Sequence, residues 1–165
     1  MYYGSSSSRY AGRDWKHTKQ IVKEGNLLQS RTNSRTTRLS REIIQRLEFL
    51  TDEQLSLLVE GNLTEQKYLL WFAVCKTYDF IKEFSTEVLH EKYLSRSMKI
   101  TELDYDPFFS RKADWNDELE KIKTSTRKKL RQVVFLMMRE AGLITEDNTI
   151  LRAMLSKRLI EDLKI

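Results

Sequence analysis

The sequence predicts an all-α protein, and three observations lead to this fold class. The 165 residues include one proline and five glycines, so few positions interrupt a helix. Apolar residues make up 40% of the chain, which is enough for a packed core. Between polar turns these residues recur at spacings of three and four, the period of an amphipathic helix. The length suits one domain, or two small helical subdomains that share a core.

The first part of the chain is expected to form a tail followed by a helical bundle. Residues 1–13 are rich in Ser, Gly and Tyr, and we predict a flexible tail there. Residues 14–98 are predicted to form the N-terminal bundle. Its first helix follows a cap at Asp14 and stops near Gly25, and its second helix follows a cap at Ser34.

Three further helices complete the predicted bundle. Thr51 and Gln54 form a capping box at the start of the third helix, which ends at Gly61. Thr64 begins a fourth helix that is apolar nearly all round, so we expect it to be the central buried helix. A fifth helix is predicted from about residue 79 to residue 95.

The remaining residues, 99–165, are predicted to form a C-terminal subdomain similar to a winged helix. Asp106 is expected to cap a short helix that has Pro107 at its first position. A second short helix covers about residues 116–122. A long helix follows over residues 125–141.

The end of this subdomain is predicted to contain a short β-hairpin and a last helix. Gly142 closes the long helix. The polar turn of residues 146–148 lies between two apolar pairs, which predicts a hairpin, or wing. Ser156 is expected to cap the final helix.

Composition excludes several classes of protein. The net charge of +5 and the isoelectric point near 9.3 favour polyanionic partners without identifying one. Cys75 is the only cysteine, so the chain cannot form an internal disulfide. The longest apolar stretch, residues 68–75, is far shorter than the roughly 20 residues of a membrane-spanning helix. We therefore expect a cytoplasmic protein that has no membrane partner.

The sequence contains no credible catalytic constellation. His17 and His90 lie far apart and have no partners at metal-ligand spacing. Cys75 lies in an apolar run and is expected to be an inert thiol, and no glycine-rich phosphate loop is present. Trp115 could stack on a base, but such rings at helical spacing more often belong to the core. We expect no enzyme activity and no metal, cofactor or small-molecule substrate.

Charge is segregated in the second half of the chain. Seven basic residues and no acidic one occur from Lys121 to Arg139, whereas residues 101–120 hold seven acidic and two basic residues. A short helix, a tight turn, a basic helix, a glycine and a hairpin follow one another, in the order of a winged helix-turn-helix. In such motifs the second helix places its first side chains in the major groove of duplex DNA.

The long basic helix is predicted to turn apolar residues inward and cations outward. The predicted inward face consists of Leu130, Val133, Val134, Met137 and Ala141. The predicted outward side holds Arg127, Lys128, Arg131, Gln132 and Phe135. Hydroxyls and cations at the helix start suit contacts to phosphates and guanine edges. The predicted nucleic-acid-binding residues of this segment are Thr124, Ser125, Thr126, Arg127, Lys128, Lys129 and Arg131. A solvated basic face, or a surface for an acidic protein partner, would show the same pattern.

A second basic patch lies at the start of the second helix. It consists of Arg31, Arg35, Arg38 and Arg41, interleaved with threonine and serine residues. Hydroxyl and guanidinium groups together suit phosphate contacts. A helix start that is merely solvated explains the pattern equally well.

Three stretches of this sequence together resemble the BrxA family of bacteriophage exclusion (BREX) systems. They are NLLQSRT (26–32), LLWFAVCKTYDFIKEF (69–84) and TSTRKKLRQVVFLMMREAGLI (124–144). The resemblance runs from about Trp15 to the C-terminus. It implies a small component of loci that protect bacteria from phage and that also encode an ATPase, a DNA methyltransferase and a phosphatase-like protein. It further implies an all-helical fold with a part similar to the NusB antitermination bundle.

The resemblance also implies a function. The family is regarded as non-enzymatic and able to bind duplex DNA, so we expect a double-stranded-DNA-binding accessory protein whose partners are duplex DNA and other BREX components. Two alternatives stay open: a protein-interaction scaffold of the defence complex, and an RNA-binding protein similar to NusB.

Overall fold

A computed structural model describes residues 14–163, and this part of the chain is mostly helical, which confirms the all-α prediction. The predicted tail, residues 1–13, lies outside the described residues. The helices are α1 (Trp15–Glu24), α2 (Asn33–Leu47), α3 (Asp52–Glu60), α4 (Leu63–Thr77), α5 (Asp79–Phe84), a π-helical segment (Ser85–His90), α6 (Glu91–Leu94), α7 (Glu102–Ala113), α8 (Asp117–Glu120), α9 (Thr124–Glu140) and α10 (Lys157–Leu163).

The chain divides into two compact units, one that ends at Thr51 and one that begins at Asp52. The predicted boundary between residues 98 and 99 falls inside the second unit. One buried cluster there includes Phe84 from before that position and Phe108 from after it. The two sides of the predicted boundary therefore share a hydrophobic core.

The first unit contains α1 and α2, which pack against each other. As predicted, Asp14 caps α1, because its Oδ1 accepts a hydrogen bond from the His17 amide at 2.8 Å. The cap of α2 was predicted at Ser34, and that prediction is wrong. Thr32 is the cap: it is extended, and its hydroxyl accepts from the Arg35 amide at 3.3 Å.

In the second unit, α5 and α7 bring five aromatic rings together. Phe80 and Phe84 meet Tyr105 and Phe108 edge to face, with ring centroids 5.2–6.0 Å apart. Phe109 completes the group at 5.7 Å from Phe80. Each such pair contributes about 0.5–1.5 kcal/mol beyond the burial of its area. This aromatic cluster forms the centre of the core, and α9 packs on it.

The helix α7 begins five residues earlier than the sequence predicted. Thr101 and Asp104 form its capping box, with the Thr101 amide 2.7 Å from Asp104 Oδ2. Pro107 lies inside the helix, and Asp106 is not a cap. The prediction assumed that proline marks a helix start, because an interior proline removes one backbone hydrogen bond and clashes with the carbonyl four residues before it, at a cost of about 3 kcal/mol or more. The buried rings on both sides of Pro107 stabilise the helix through that position.

The corner between α7 and α8 exposes a tryptophan. Trp115 is 90% exposed, so the prediction that it belongs to the core is wrong. The residue lies between two helices instead of within one, since α7 ends at Ala113 and Asn116 caps α8. Because Trp115 is not part of a helix, the helical spacing on which the prediction depended does not apply to it.

The segment predicted to be a β-hairpin follows α9. Gly142 has a φ of +72°, which ends α9 as expected. The chain then turns at Asn148, which also has a positive φ, of +62°. Isolated antiparallel bridges join Ile144 to Ile150 and Lys99 to Thr149. The first bridge joins the two apolar pairs of the predicted hairpin, whereas Lys99 lies outside that hairpin, and residues 14–163 contain no β-strand.

The last helix docks on the beginning of the second unit. Leu159 of α10 is fully buried together with Leu57 of α3 and Leu69 of α4. Gln54 Nε2 donates a hydrogen bond to the Asp162 carbonyl at 2.7 Å, across 108 positions of the chain. Ser156 caps α10 as predicted, since its hydroxyl oxygen accepts from the Leu159 amide at 3.2 Å.

The Tyr105 hydroxyl gives the first testable prediction. Tyr105 is fully buried, and its hydroxyl has no hydrogen-bond partner among the described residues. Burial raises the pKa of Tyr105 to about 12, so the folded protein keeps the hydroxyl neutral. We expect Tyr105→Phe to increase the free energy of unfolding by about 1 kcal/mol at neutral pH, because it removes an unsatisfied buried group.

The pH dependence has a defined sign. An unfolded chain ionises Tyr105 near pH 10 and the folded protein near pH 12, so stability is lost as pH rises between these values. Urea unfolding of both proteins at pH 7 and pH 11 should show that Tyr105→Phe loses less stability at pH 11 than the parent does. Tyr68→Phe is the control, because its hydroxyl accepts from the Met154 amide at 3.4 Å. The prediction would be contradicted if Tyr68→Phe and Tyr105→Phe increased the free energy of unfolding at pH 7 by the same amount.

Candidate nucleic-acid interface

The rotation of α9 about its axis differs from the prediction. Its buried side consists of Val134, Phe135, Met138 and Ala141. Leu130 and Val133, predicted to lie inward, are 37% and 49% exposed, and Phe135, predicted to lie outward, is buried. The helix has apolar residues on two sides, so periodicity alone does not choose between them. The aromatic cluster of α5 and α7 provides the deeper contact, and it selects the side that carries Phe135.

Arg127 lies on this inward side and contacts α7 with its whole guanidinium group. Its Nη2 donates to the backbone carbonyl of Asp106 and, at 3.1 Å, to Ser110 Oγ. Its Nε lies 3.5 Å from Asp106 Oδ1. The guanidinium carbon is 4.5 Å from the centroid of the Phe109 ring, a cation–π contact. The charge of Arg127 is thus neutralised within the protein.

Arg131 is held even more closely. Its Nη2 lies 2.7 Å from Glu102 Oε2, and its Nη1 lies 2.8 Å from Asp106 Oδ2. Only 12% of the Arg131 side chain is exposed. Arg127 and Arg131 were predicted to point outward towards phosphates. The structure places both against carboxylates of α7, where they join α9 to α7.

The start of α9 presents the rest of the predicted contact. Thr124, Ser125 and Thr126 are exposed, and so are Lys128 and Lys129. Neither lysine forms an ion pair within residues 14–163. No acidic residue occupies the first turn of α9. The predicted α9 residues therefore divide into two paired arginines and five exposed polar residues.

A cleft of about 460 Å³ opens between α7, α8 and the start of α9. Both signs of charge line it: Asp106, Asp114 and Glu120 face Arg127 and Lys128. Within the described residues, no three His, Cys, Asp or Glu side chains are placed to hold a metal ion. No helix of this part of the chain is both long and apolar enough to cross a bilayer.

The second predicted patch, at the start of α2, is exposed. Arg35 and Arg38 are three residues apart and share one side of α2, and Arg31 lies two residues before the helix begins; we call these three residues the arginine row. All three are exposed, and Arg41 is exposed beside them. Arg38 has one weak ion pair, with Glu42 at 3.9 Å, and 74% of its side chain is exposed. The guanidinium groups of the row are free to bind a ligand.

The hydroxyl groups of this patch have a different role from the one predicted. Thr36 and Ser40 are buried. The Thr37 hydroxyl donates to the Asn33 carbonyl at 2.9 Å, and Thr32 caps the helix. These four hydroxyls thus bond to the backbone of α2, and the groups that could contact phosphate are the arginines and the exposed Ser34.

Charge is divided unequally between the two units, which the sequence prediction did not include. Ten Lys and Arg residues and four Asp and Glu residues precede Asp52, which gives a net charge of +6. The residues from Asp52 onward include nineteen basic and twenty acidic residues, which gives a net charge of −1. A count by structural unit would have shown that the whole excess of positive charge belongs to the unit of α1 and α2.

The comparisons with known proteins agree on one family. The model of the BrxA family matches residues 6–164 of this chain. A BREX protein BrxA of Bacillus cereus (strain H3081.97) is 27% identical over 117 residues, which cover 71% of this chain. The matched region spans 58% of the length of that relative.

The pairing of Arg131 gives a second testable prediction. Arg131→Ala should lower the free energy of unfolding by about 1–2 kcal/mol, because it removes the ion-pair partner that Glu102 and Asp106 share. The decrease is not larger because water reaches both carboxylates. Lys128→Ala, one turn earlier and exposed, should change the free energy of unfolding by less than about 0.5 kcal/mol. Urea unfolding followed by circular dichroism measures both. Equal effects of the two substitutions would show that the contact between α7 and α9 does not depend on Arg131.

Proposed function

This chain belongs to the BrxA family, and we propose that it is a non-enzymatic component of BREX phage-defence systems that binds duplex DNA through the arginine row of α2. The observation that carries this proposal is the row itself: unburied guanidinium groups on the unit that has the whole excess of positive charge.

The dimensions of the row suit a nucleic-acid backbone. Arg35 and Arg38 lie about 5 Å apart along the axis of α2, and Arg31 extends the row beyond the start of the helix. Duplex DNA carries one phosphate charge per roughly 1.7 Å of its axis, so several phosphates lie within the span of the row. Because arginine binds phosphate through two parallel hydrogen bonds, three guanidinium groups can each take one phosphate. Such contacts position the protein on DNA without reading its sequence.

The start of α9 enters the proposal as a second, smaller contact. Lys128 and the hydroxyls of Thr124, Ser125 and Thr126 are available for it. The three residues between α8 and α9 form the turn of a helix-turn-helix in this interpretation, with residues 143–151 as its wing. The proposal also includes a similarity of residues 14–98 to the NusB bundle.

Charge reversal in the arginine row tests the proposal. With about four phosphates contacted, log K of the parent should fall with log salt with a slope of about −3.5. Arg35→Glu combined with Arg38→Glu should weaken binding at least tenfold and reduce the slope to about −2, because two contacts are lost. Fluorescence anisotropy of a labelled duplex at several salt concentrations measures affinity and slope.

A matched control separates the row from the net charge. Arg152 and Lys157 are exposed in the second unit, and their double replacement by Glu changes the charge by the same amount. This control should bind duplex DNA about as well as the parent. An equal loss of duplex affinity in both double variants would refute the proposed contact. An affinity of the parent that does not change with salt concentration would refute it as well. If structured RNA displaced duplex DNA in a competition experiment, the arginine row would be assigned to RNA binding instead.

A further inference from the structure

The outward side of α9 is apolar in its middle. Val133 and Leu136 are each 49% exposed there, and Leu130 beside them is 37% exposed. A helix that is apolar on two sides ordinarily covers both. The core covers one side of α9 through Phe135 and Met138. No described residue buries the other side.

The apolar pair has a charged residue at each end. Lys129 precedes Val133 by four residues, and Glu140 follows Leu136 by four. The resulting spacing of four, three and four keeps all four side chains within about 60° of the helix circumference. It is the spacing at which one helix packs along another. We call these four residues the α9 stripe.

The α9 stripe is complementary to itself. A two-fold axis midway between Val134 and Phe135 relates the stripe to an antiparallel copy. It places Lys129 of each copy opposite Glu140 of the other, and Val133 opposite Leu136. Lys129 and Glu140 are exposed and form no ion pair within residues 14–163, so both are available for this contact. A contact of this kind uses the same surface on both subunits.

We propose that the α9 stripe is a dimer contact, in which α9 of one copy packs antiparallel against α9 of a second copy. An acidic partner helix would place its charges against Glu140, and a DNA phosphate would meet two apolar side chains in the middle of the stripe. A second copy satisfies all four positions. This assigns Lys129 to a protein contact instead of the duplex contact predicted from the sequence.

One helix pair makes a small interface. It buries less than the roughly 1,200 Å² of a stable protein complex, so we expect a dissociation constant on the order of 10–100 µM. A dimer carries two arginine rows, and a second row that reaches the same duplex would bind at a high effective concentration. The inference does not depend on DNA binding, because no residue of the stripe belongs to the arginine row.

The experiment uses charge exchange between the two ends of the stripe. Sedimentation velocity of the parent at increasing concentration should show a monomer in equilibrium with a dimer. Lys129→Glu alone and Glu140→Lys alone should each sediment as monomers, because each variant brings like charges together. An equimolar mixture of the two variants should form the dimer again, and so should the double variant, because both restore opposite charges.

Each remaining outcome overturns the proposal. A parent that stays monomeric at about 300 µM lacks the contact. Single variants that dimerise like the parent, or a mixture that stays monomeric, exclude the antiparallel register. Leu136→Glu should abolish the dimer, whereas Val59→Glu, which changes an 82% exposed valine of α3, should not. Circular dichroism shows whether each variant is folded. Duplex binding by the monomeric variants tests the proposed function separately.

Discussion

The packing of α9 against α7 is the constraint on which the rest of this structure depends. Phe135 and Met138 are buried in the same hydrophobic core as the aromatic cluster of α5 and α7, and their burial defines the rotation of α9 about its axis. The same rotation directs Arg127 and Arg131 towards Asp106. Because two cations are used in this way, part of the positive charge of α9 is neutralised within the protein, while Lys128 and Lys129 stay exposed.

The two units therefore have different electrostatic roles. The second unit contains both the most acidic and the most basic stretch of the chain, and Arg127 and Arg131 of the basic stretch pair with carboxylates of the acidic one. The first unit has few carboxylates, and Arg38 of the arginine row is 74% exposed and forms only a weak ion pair, with Glu42 at 3.9 Å. Interactions with a highly charged ligand depend on charges that stay in solvent, and salt weakens them because the ligand is surrounded by counterions.

Local signals predicted much of the fold. Asp14 and Ser156 begin their helices, and Gly142 ends α9, as the sequence indicated. These signals are local, because caps and positive-φ glycines act over a few residues. Two kinds of feature could not be predicted in this way. Pro107 lies inside α7 because buried rings surround it, and α9 has two apolar sides between which only tertiary packing decides. The same ambiguity explains why the cations of α9 were predicted to be free.

The docking of α10 has a consequence for biosynthesis. Leu57 and Leu69 pack against Leu159, which lies 102 and 90 positions further along the chain. During translation this apolar site stays uncovered until α10 has been synthesised and has left the ribosome. A polypeptide that is released before α10 is made would therefore present an open leucine surface to chaperones and proteases.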